Sequence, residues 1–144
     1  MENNNIKVQI ESIDIEGKGI ARVEGKTVFI NDVLAGEIAE IEIYQHKANF
    51  AKGRLVQIIQ QSPKRVTPQC PNYGICGGCS LQHLDFSEQV ATKQQVLLDN
   101  LTHIGKTIPQ SVLPPLMGQA FAYRHKARLL GCPFNAAYFC TSAG

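Results

Sequence analysis

Cys70-Pro71-Asn72-Tyr73-Gly74-Ile75-Cys76-Gly77-Gly78-Cys79 is the stretch from which the rest of the chain is read. Five residues separate Cys70 from Cys76, and two separate Cys76 from Cys79. A C-x-x-C pair lets two thiolates turn inward onto one centre. Gly77 and Gly78 permit the positive φ angles that such a tight loop needs. Their backbone amides can also point at bridging sulfides and offset negative charge. Pro71 stiffens the entry to the loop. Three clustered thiols suit an iron–sulfur cluster with a fourth ligand from elsewhere. Zinc is the rival reading, although zinc knuckles usually show two C-x-x-C arms and a second arm is lacking here. A disulfide plus a spare thiol is the bland alternative, and no secretory signal accompanies it.

Immediately upstream, Ser62-Pro63-Lys64-Arg65-Val66-Thr67-Pro68 reads as a linker, because two prolines and no periodicity argue against regular structure. Residues 6–60 read as β-structure. Ile6, Val8 and Ile10 alternate with polar residues, and Ile13 and Ile15 resume the alternation. Glu24-Gly25 separates residues 20–23 from residues 27–30 and predicts a hairpin turn. Over residues 38–44 the alternation places Ile41 and Ile43 inward and Glu40 and Glu42 outward. Residues 50–60 supply a last strand with Leu55 as its expected core residue. Five short strands in this span suit a small closed barrel of the OB type. Lys18, Arg22, Lys47, Lys52 and Arg54 fall near its loops and strand ends. Each alone reads as solvated surface. As a set they read as a face for RNA phosphates.

Downstream of the cysteines, residues 86–104 predict a helix. Asp85 and Glu88 form a capping-box pattern, and Gly105 stands at the expected stop. Val90, Gln94, Leu97, Leu101 and Ile104 share one face, expected to pack as core. His83 and His103 carry no site role in this reading. Residues 121–129 read as a basic strand, and residues 130–144 show no clear pattern.

Composition bounds the rest. The 144 residues suffice for one compact domain or two small ones, and 44% hydrophobic content supports a core. A net charge of +2 does not announce a nucleic-acid binder, so RNA contact would have to come from a local patch. No apolar run approaches membrane-spanning length. The polar N-terminus lacks a signal-peptide core, which predicts a cytoplasmic protein with no membrane partner.

Taken together, these motifs resemble the N-terminal part of the TRAM-bearing bacterial 23S rRNA (uracil-C5)-methyltransferases. The resemblance rests on Cys70 to Cys79 with the trailing Ser80-Leu81-Gln82-His83, and on residues 86–94 with Ile104-Gly105. Tyr123-Arg124 and Lys126-Ala127-Arg128 add to it, as do Gly17 to Ala21 and Gly25 to Ile30. It implies a mainly β chain: a five-stranded OB-like TRAM barrel over residues 6–62, a linker and iron–sulfur loop over 63–85, then a helix and the start of a truncated α+β region over 86–129. Residues 130–144 form an atypical tail, expected to be frameshifted or truncated. The family's [4Fe-4S] cluster would lie on Cys70, Cys76 and Cys79. Cys132-Pro133 has the dipeptide of the fourth ligand but arrives too early in the chain. S-adenosylmethionine belongs to a further domain of full-length relatives, where a cysteine attacks uracil C6, so no catalytic residue is assigned here. The chain alone is expected neither to bind that cofactor nor to methylate. The implied partner is RNA, 23S rRNA in particular, and the expected state is a monomer. The alternative is a free-standing RNA-binding TRAM module with a zinc or iron–sulfur knuckle and no catalysis.

Overall fold

The computed structural model describes residues 5–126. The chain divides into two compact units, one ending at Val66 and the other beginning at Thr67. The first holds six strands: β1 (Asn5–Gln9), β2 (Ser12–Ile13), β3 (Gly19–Val23), β4 (Lys26–Ile30), β5 (Ile38–His46) and β6 (Phe50–Gln60). They form one sheet in the order β1-β5-β6-β4-β3-β2. All neighbours are antiparallel except β4 and β6.

The count of six corrects the expected five, and the reason is local. The first stretch splits at Ile10-Glu11, where the Ile10 amide donates to the Glu37 carbonyl (2.9 Å) and the Glu11 amide to the Ile20 carbonyl (2.8 Å). One half of residues 5–13 therefore pairs with β5 and the other half with β3. Both ends of the ladder lie in this one stretch of chain. Ile15 does not continue the alternation. It is 78% exposed in a turn whose Asp14 carboxylate accepts from the Glu16 and Lys18 amides (2.9 and 2.8 Å). The β3–β4 hairpin forms at Glu24-Gly25 as expected, with φ of 50° and 78°. Two consecutive positive φ values match the right-handed twist of the flanking strands.

The core is aliphatic: Val8, Ile10, Ala21, Val28, Ile30, Val33, Ala39, Ile41 and Ala51. In β5 the predicted alternation holds, with Ala39 and Ile41 buried and Ile43 packed against them. In β6 the expectation for Leu55 is corrected. Leu55 is only partly buried, whereas Ala51 and Gly53 are the enclosed positions. Gly53 packs tightly, because a Cβ there would stand 3.1–3.3 Å from Ile41, Ile30 and Val28 and those side chains would have to shift. Small residues let the sheet close tightly on its branched aliphatics.

A buried ion pair ties the end of this unit to its middle. Glu37 is fully buried. Its carboxylate accepts from the Leu34 amide (2.8 Å), the Ser62 amide (3.2 Å), and Arg65 Nε and Nη2 (2.7 and 2.8 Å). Arg65 also donates to the Asp32 carbonyl (2.9 Å). The stretch read as a featureless linker is thus anchored through Arg65. Burial pushes the Glu37 carboxyl up, but the hydrogen bonds from Arg65, Leu34 and Ser62 and the Arg65 charge outweigh it and hold it below the ordinary value.

In the second unit, α1 spans Phe86–His103. Asp85 caps it by accepting from the Ser87 amide (3.0 Å). No residue of α1 is fully buried, which corrects the expectation of a packed stripe. Leu97 is 57% exposed, and Leu98 takes the half-buried place one turn after Gln94. Ile104, at the C-cap, is 78% exposed. Gly105 ends the helix for a different reason than expected. The left-handed residue is Lys106 (φ 51°), while a Cβ on Gly105 would meet the Leu101 carbonyl at 2.9 Å. Residues 121–126 form no strand, and Ala122 has a φ of 57°, so the expected basic strand is corrected there. Its remainder (Ala127 to Leu129), Cys132 and the tail over 130–144 lie outside the described residues.

Arg65→Ala is expected to destabilise the first unit by about 3–5 kcal/mol, because it leaves a buried carboxylate unpaired. A carboxyl held low in the folded state contributes stability above its unfolded pKa and loses it as pH falls through the folded one. Without Arg65 that loss should begin at higher pH. Urea denaturation midpoints, measured from neutral pH to about pH 4, check both effects.

Candidate nucleic-acid interface and cysteine loop

Strand register decides where the basic residues stand. Gly19, Ile30, Gly53 and Ile43 make one row across β3, β4, β6 and β5. Its neighbour is Ile20, Phe29, Lys52 and Gln45, and beyond that come Arg22, Thr27 and Phe50. Side chains alternate between faces along a strand. Ala21, Val28 and Ala51 fill the core, so Arg22, Phe29 and Lys52 point to the opposite, outer face. Arg54 follows on that face, opposite Glu42 of β5.

Three of the five basic residues have an acidic neighbour. Lys18 bonds to Glu16, Arg54 to Glu42, and Arg22 lies 3.5 Å from Glu11. The hydrogen bond from Lys18 and its charge hold the Glu16 carboxyl low, with a smaller pull from Lys52. The bond to Glu16 holds the Lys18 amine above its ordinary value. These pairs are exposed, so they are weak and a phosphate can compete for the cation. Lys52 has no carboxylate at ion-pair distance among the described residues. Lys47 lies in the β5–β6 turn, where its amide donates to the Phe50 carbonyl (2.8 Å) and its own carbonyl accepts from Lys26 (3.2 Å). The sheet thus gathers Arg22, Lys52 and Arg54 on one face, with Lys18 one residue before the Gly19 row and Lys47 beside Phe50.

Sequence reasoning passed over the aromatic residues here. Phe29 and Phe50 meet edge to face, with ring centroids 5.7 Å apart and planes at 79°. Both are half-buried and lie outside the core cluster. Their outward register was not readable without the β4–β6 pairing.

The cysteine loop is a local structure of the second unit. Turn hydrogen bonds run from the Tyr73 amide to the Cys70 carbonyl (3.1 Å) and from the Cys76 amide to the Asn72 carbonyl (3.0 Å). The Gln82 side chain accepts from the Cys70 amide (3.2 Å). Tyr73 donates its hydroxyl to the Ser80 carbonyl (3.1 Å) and also meets His83 Nδ1. His83 is only 2% exposed, so it braces the loop from within. Gly74 and Gly77 carry φ of 81° and 66°. The Gly78 amide donates to Cys76 Sγ (3.4 Å).

All three thiols are free, with Cys70 and Cys76 half-buried and Cys79 exposed. Three thiols and a backbone donor aimed at sulfur fit the chemistry of a thiolate-held metal centre. The gathering is incomplete: among the described residues no group of three or more His, Cys, Asp or Glu stands close enough to hold a metal ion. Among the same residues no helix is long and apolar enough to cross a membrane.

With this geometry in place, comparison with known proteins is informative. Residues 1–56 match the TRAM domain family. The chain is 50% identical over 122 residues to the 23S rRNA (uracil(1939)-C(5))-methyltransferase RlmD of Nitrosospira multiformis, covering 85% of this chain and 28% of that protein. It is 48% identical over 121 residues to the enzyme of the same name in Dechloromonas aromatica, covering 84% of this chain and 28% of that one. The Legionella pneumophila enzyme of that name is 48% identical over 121 residues, covering 84% of this chain and 27% of the relative. The chain therefore spans little more than a quarter of the length of these relatives, and the resemblance expected from its motifs holds.

Tyr73→Phe should loosen the cysteine loop by about 1 kcal/mol, the net worth of a typical hydrogen bond. Faster amide exchange over residues 70–84, with β3–β6 exchange unchanged, is the expected result.

Proposed function

We propose that this chain, whose residues 1–56 match the TRAM domain family and which is similar to 23S rRNA (uracil-C5)-methyltransferases, supplies the RNA-binding and cluster-bearing part of such an enzyme. In this reading residues 6–62 form an OB-like barrel closed through the shared stretch at residues 5–13. The observation that carries the RNA assignment is the outer face of β3 and β6, to which register brings Arg22, Lys52 and Arg54 from successive rows. Lys18 and Lys47 extend the basic set at its margins. RNA phosphates would replace the exposed carboxylates now paired with Arg22, Arg54 and Lys18. The natural target is 23S rRNA, by analogy with the relatives' activity.

The same reading assigns Cys70, Cys76 and Cys79 as three ligands of a [4Fe-4S] cluster. A fourth ligand would come from outside the described residues, where Cys132 is a candidate. Its support is the thiol spacing together with the Gly78 amide aimed at Cys76 Sγ. A bound cluster would contribute structure and RNA positioning, since methylation at uracil C5 needs no electron transfer. S-adenosylmethionine would supply the methyl group in the whole enzyme. This chain's part is to bind and orient RNA, and we assign it no catalytic residue.

Two outcomes test the proposal. Lys52→Ala with Arg54→Ala should weaken binding of a 23S rRNA segment and flatten its salt dependence by about 0.7 in log–log slope per lost phosphate contact. Unchanged affinity and slope would return both residues to solvated surface. Anaerobic reconstitution with iron and sulfide should give a brown protein, and Cys76→Ser should lose more iron than Cys140→Ser. A colourless product holding one zinc ion would overturn the cluster assignment.

A further inference from the structure

The outer face holds two aromatic rings that neither the core nor a phosphate contact explains. We propose that Phe29 and Phe50 form a base-stacking platform, so that the RNA taken by this face is single-stranded, with at least one base unstacked from its neighbours. The proposal rests on the RNA-binding reading above and narrows it from phosphate contact to a class of RNA.

The packing explains why the rings are where they are. The core cluster is entirely aliphatic. Three of its members are alanines, and a Cβ added at Gly53 or Gly19 would crowd the core, standing 2.2 Å from Val33 Cγ2 in the case of Gly19. A core this narrow has no place for a phenyl ring. Burial favours sending large apolar side chains inward, yet both phenylalanines face outward and remain half-buried.

Each ring keeps part of its surface in contact with solvent. In an edge-to-face pair at 79°, the edge of one ring covers one face of the other. The remaining faces are not covered by the partner ring. Charge surrounds the pair as a nucleotide would require. Lys52 is the direct register partner of Phe29, and Arg22 pairs with Thr27, which pairs with Phe50. A base lying on a ring would bring its phosphates toward these cations. Stacking on aromatic side chains beside a basic track is the general mode of single-strand binding, and it tolerates any base because every base has a π face. A continuous A-form duplex keeps its bases stacked on one another and offers this platform only phosphates and ribose.

The test uses the full chain and a short labelled RNA of mixed sequence, presented single-stranded and as a duplex. Phe29→Leu and Phe50→Leu keep apolar bulk and remove the ring. Each should weaken single-strand binding roughly fivefold or more, with duplex binding and the salt slope unchanged. Phe50→Tyr, which restores a ring, should bind as the wild type does. In the wild-type protein, 2-aminopurine placed along the single strand should change its fluorescence on binding at one or more positions. Single-strand affinity unchanged in folded leucine variants would overturn the proposal while leaving the phosphate contacts of Lys52 and Arg54 standing. Invariant 2-aminopurine fluorescence at every position would do the same, even if the leucine variants fail to fold. A wild-type chain that binds neither RNA would overturn the RNA reading itself and this proposal with it.

Discussion

Glu37 is a carboxylate with no exposure to water, in a turn flanked by the buried Val33 and Leu34. Burying a charge in such a place is unfavourable unless it is paired and its lone pairs are occupied. Arg65 meets it with two donors, and the Leu34 and Ser62 amides take up the rest. The guanidinium fork matches a carboxylate in two parallel bonds, a geometry that an ammonium group cannot reproduce. Because Glu37 also offers its backbone carbonyl to Ile10, the same residue touches the break between β1 and β2. The turn before β5, the stretch after β6 and the shared stretch at residues 5–13 therefore all converge on one side chain and its backbone.

That convergence fixes the register on which the outer face depends. A strand displaced by one residue sends its whole set of side chains to the opposite face. Were β6 to slip against β4, Lys52 and Arg54 would turn toward the aliphatic core, and Ala51 and Gly53 would turn outward. Gly53 favours the native register, since it lies close between Ile41, Ile30 and Val28, where even a Cβ would be crowded. The core and the basic outer face are thus two sides of one constraint. Tight packing below holds cations and aromatic rings in a defined array above.

The cysteine loop obeys different physics. Its order comes from short-range hydrogen bonds: turn carbonyls, the Gln82 amide oxygen, and the Tyr73 hydroxyl against Ser80 and His83. These brace the backbone without bringing the thiols into a closed set. The glycines at positive φ, Gly74 and Gly77, let the loop turn tightly between its bracing bonds.

Several features were legible in the chain itself. Alternation marked β5 correctly, because one face of that strand is buried and the other is wet. Glu24-Gly25 announced a hairpin, since few residue pairs accept two positive φ values. Asp85 announced a helix start through its ability to accept the orphaned amide of Ser87. Cysteine spacing and the accompanying residues pointed to the rRNA methyltransferase relatives. What remained hidden depended on partners distant along the chain. Arg65 looked like linker until it met Glu37, 28 residues earlier. Leu55 outranked Gly53 by hydrophobicity, but close packing against Ile41, Ile30 and Val28 favours a residue without a side chain there. Phe29 and Phe50 carried no periodic signal of facing outward, because the parallel pairing of β4 with β6 alone sets them side by side. Local chemistry is written in neighbouring residues, and so the sequence determined turns, caps and the cysteine motif. Which side chains share a face follows from long-range register, and only the tertiary structure decided that.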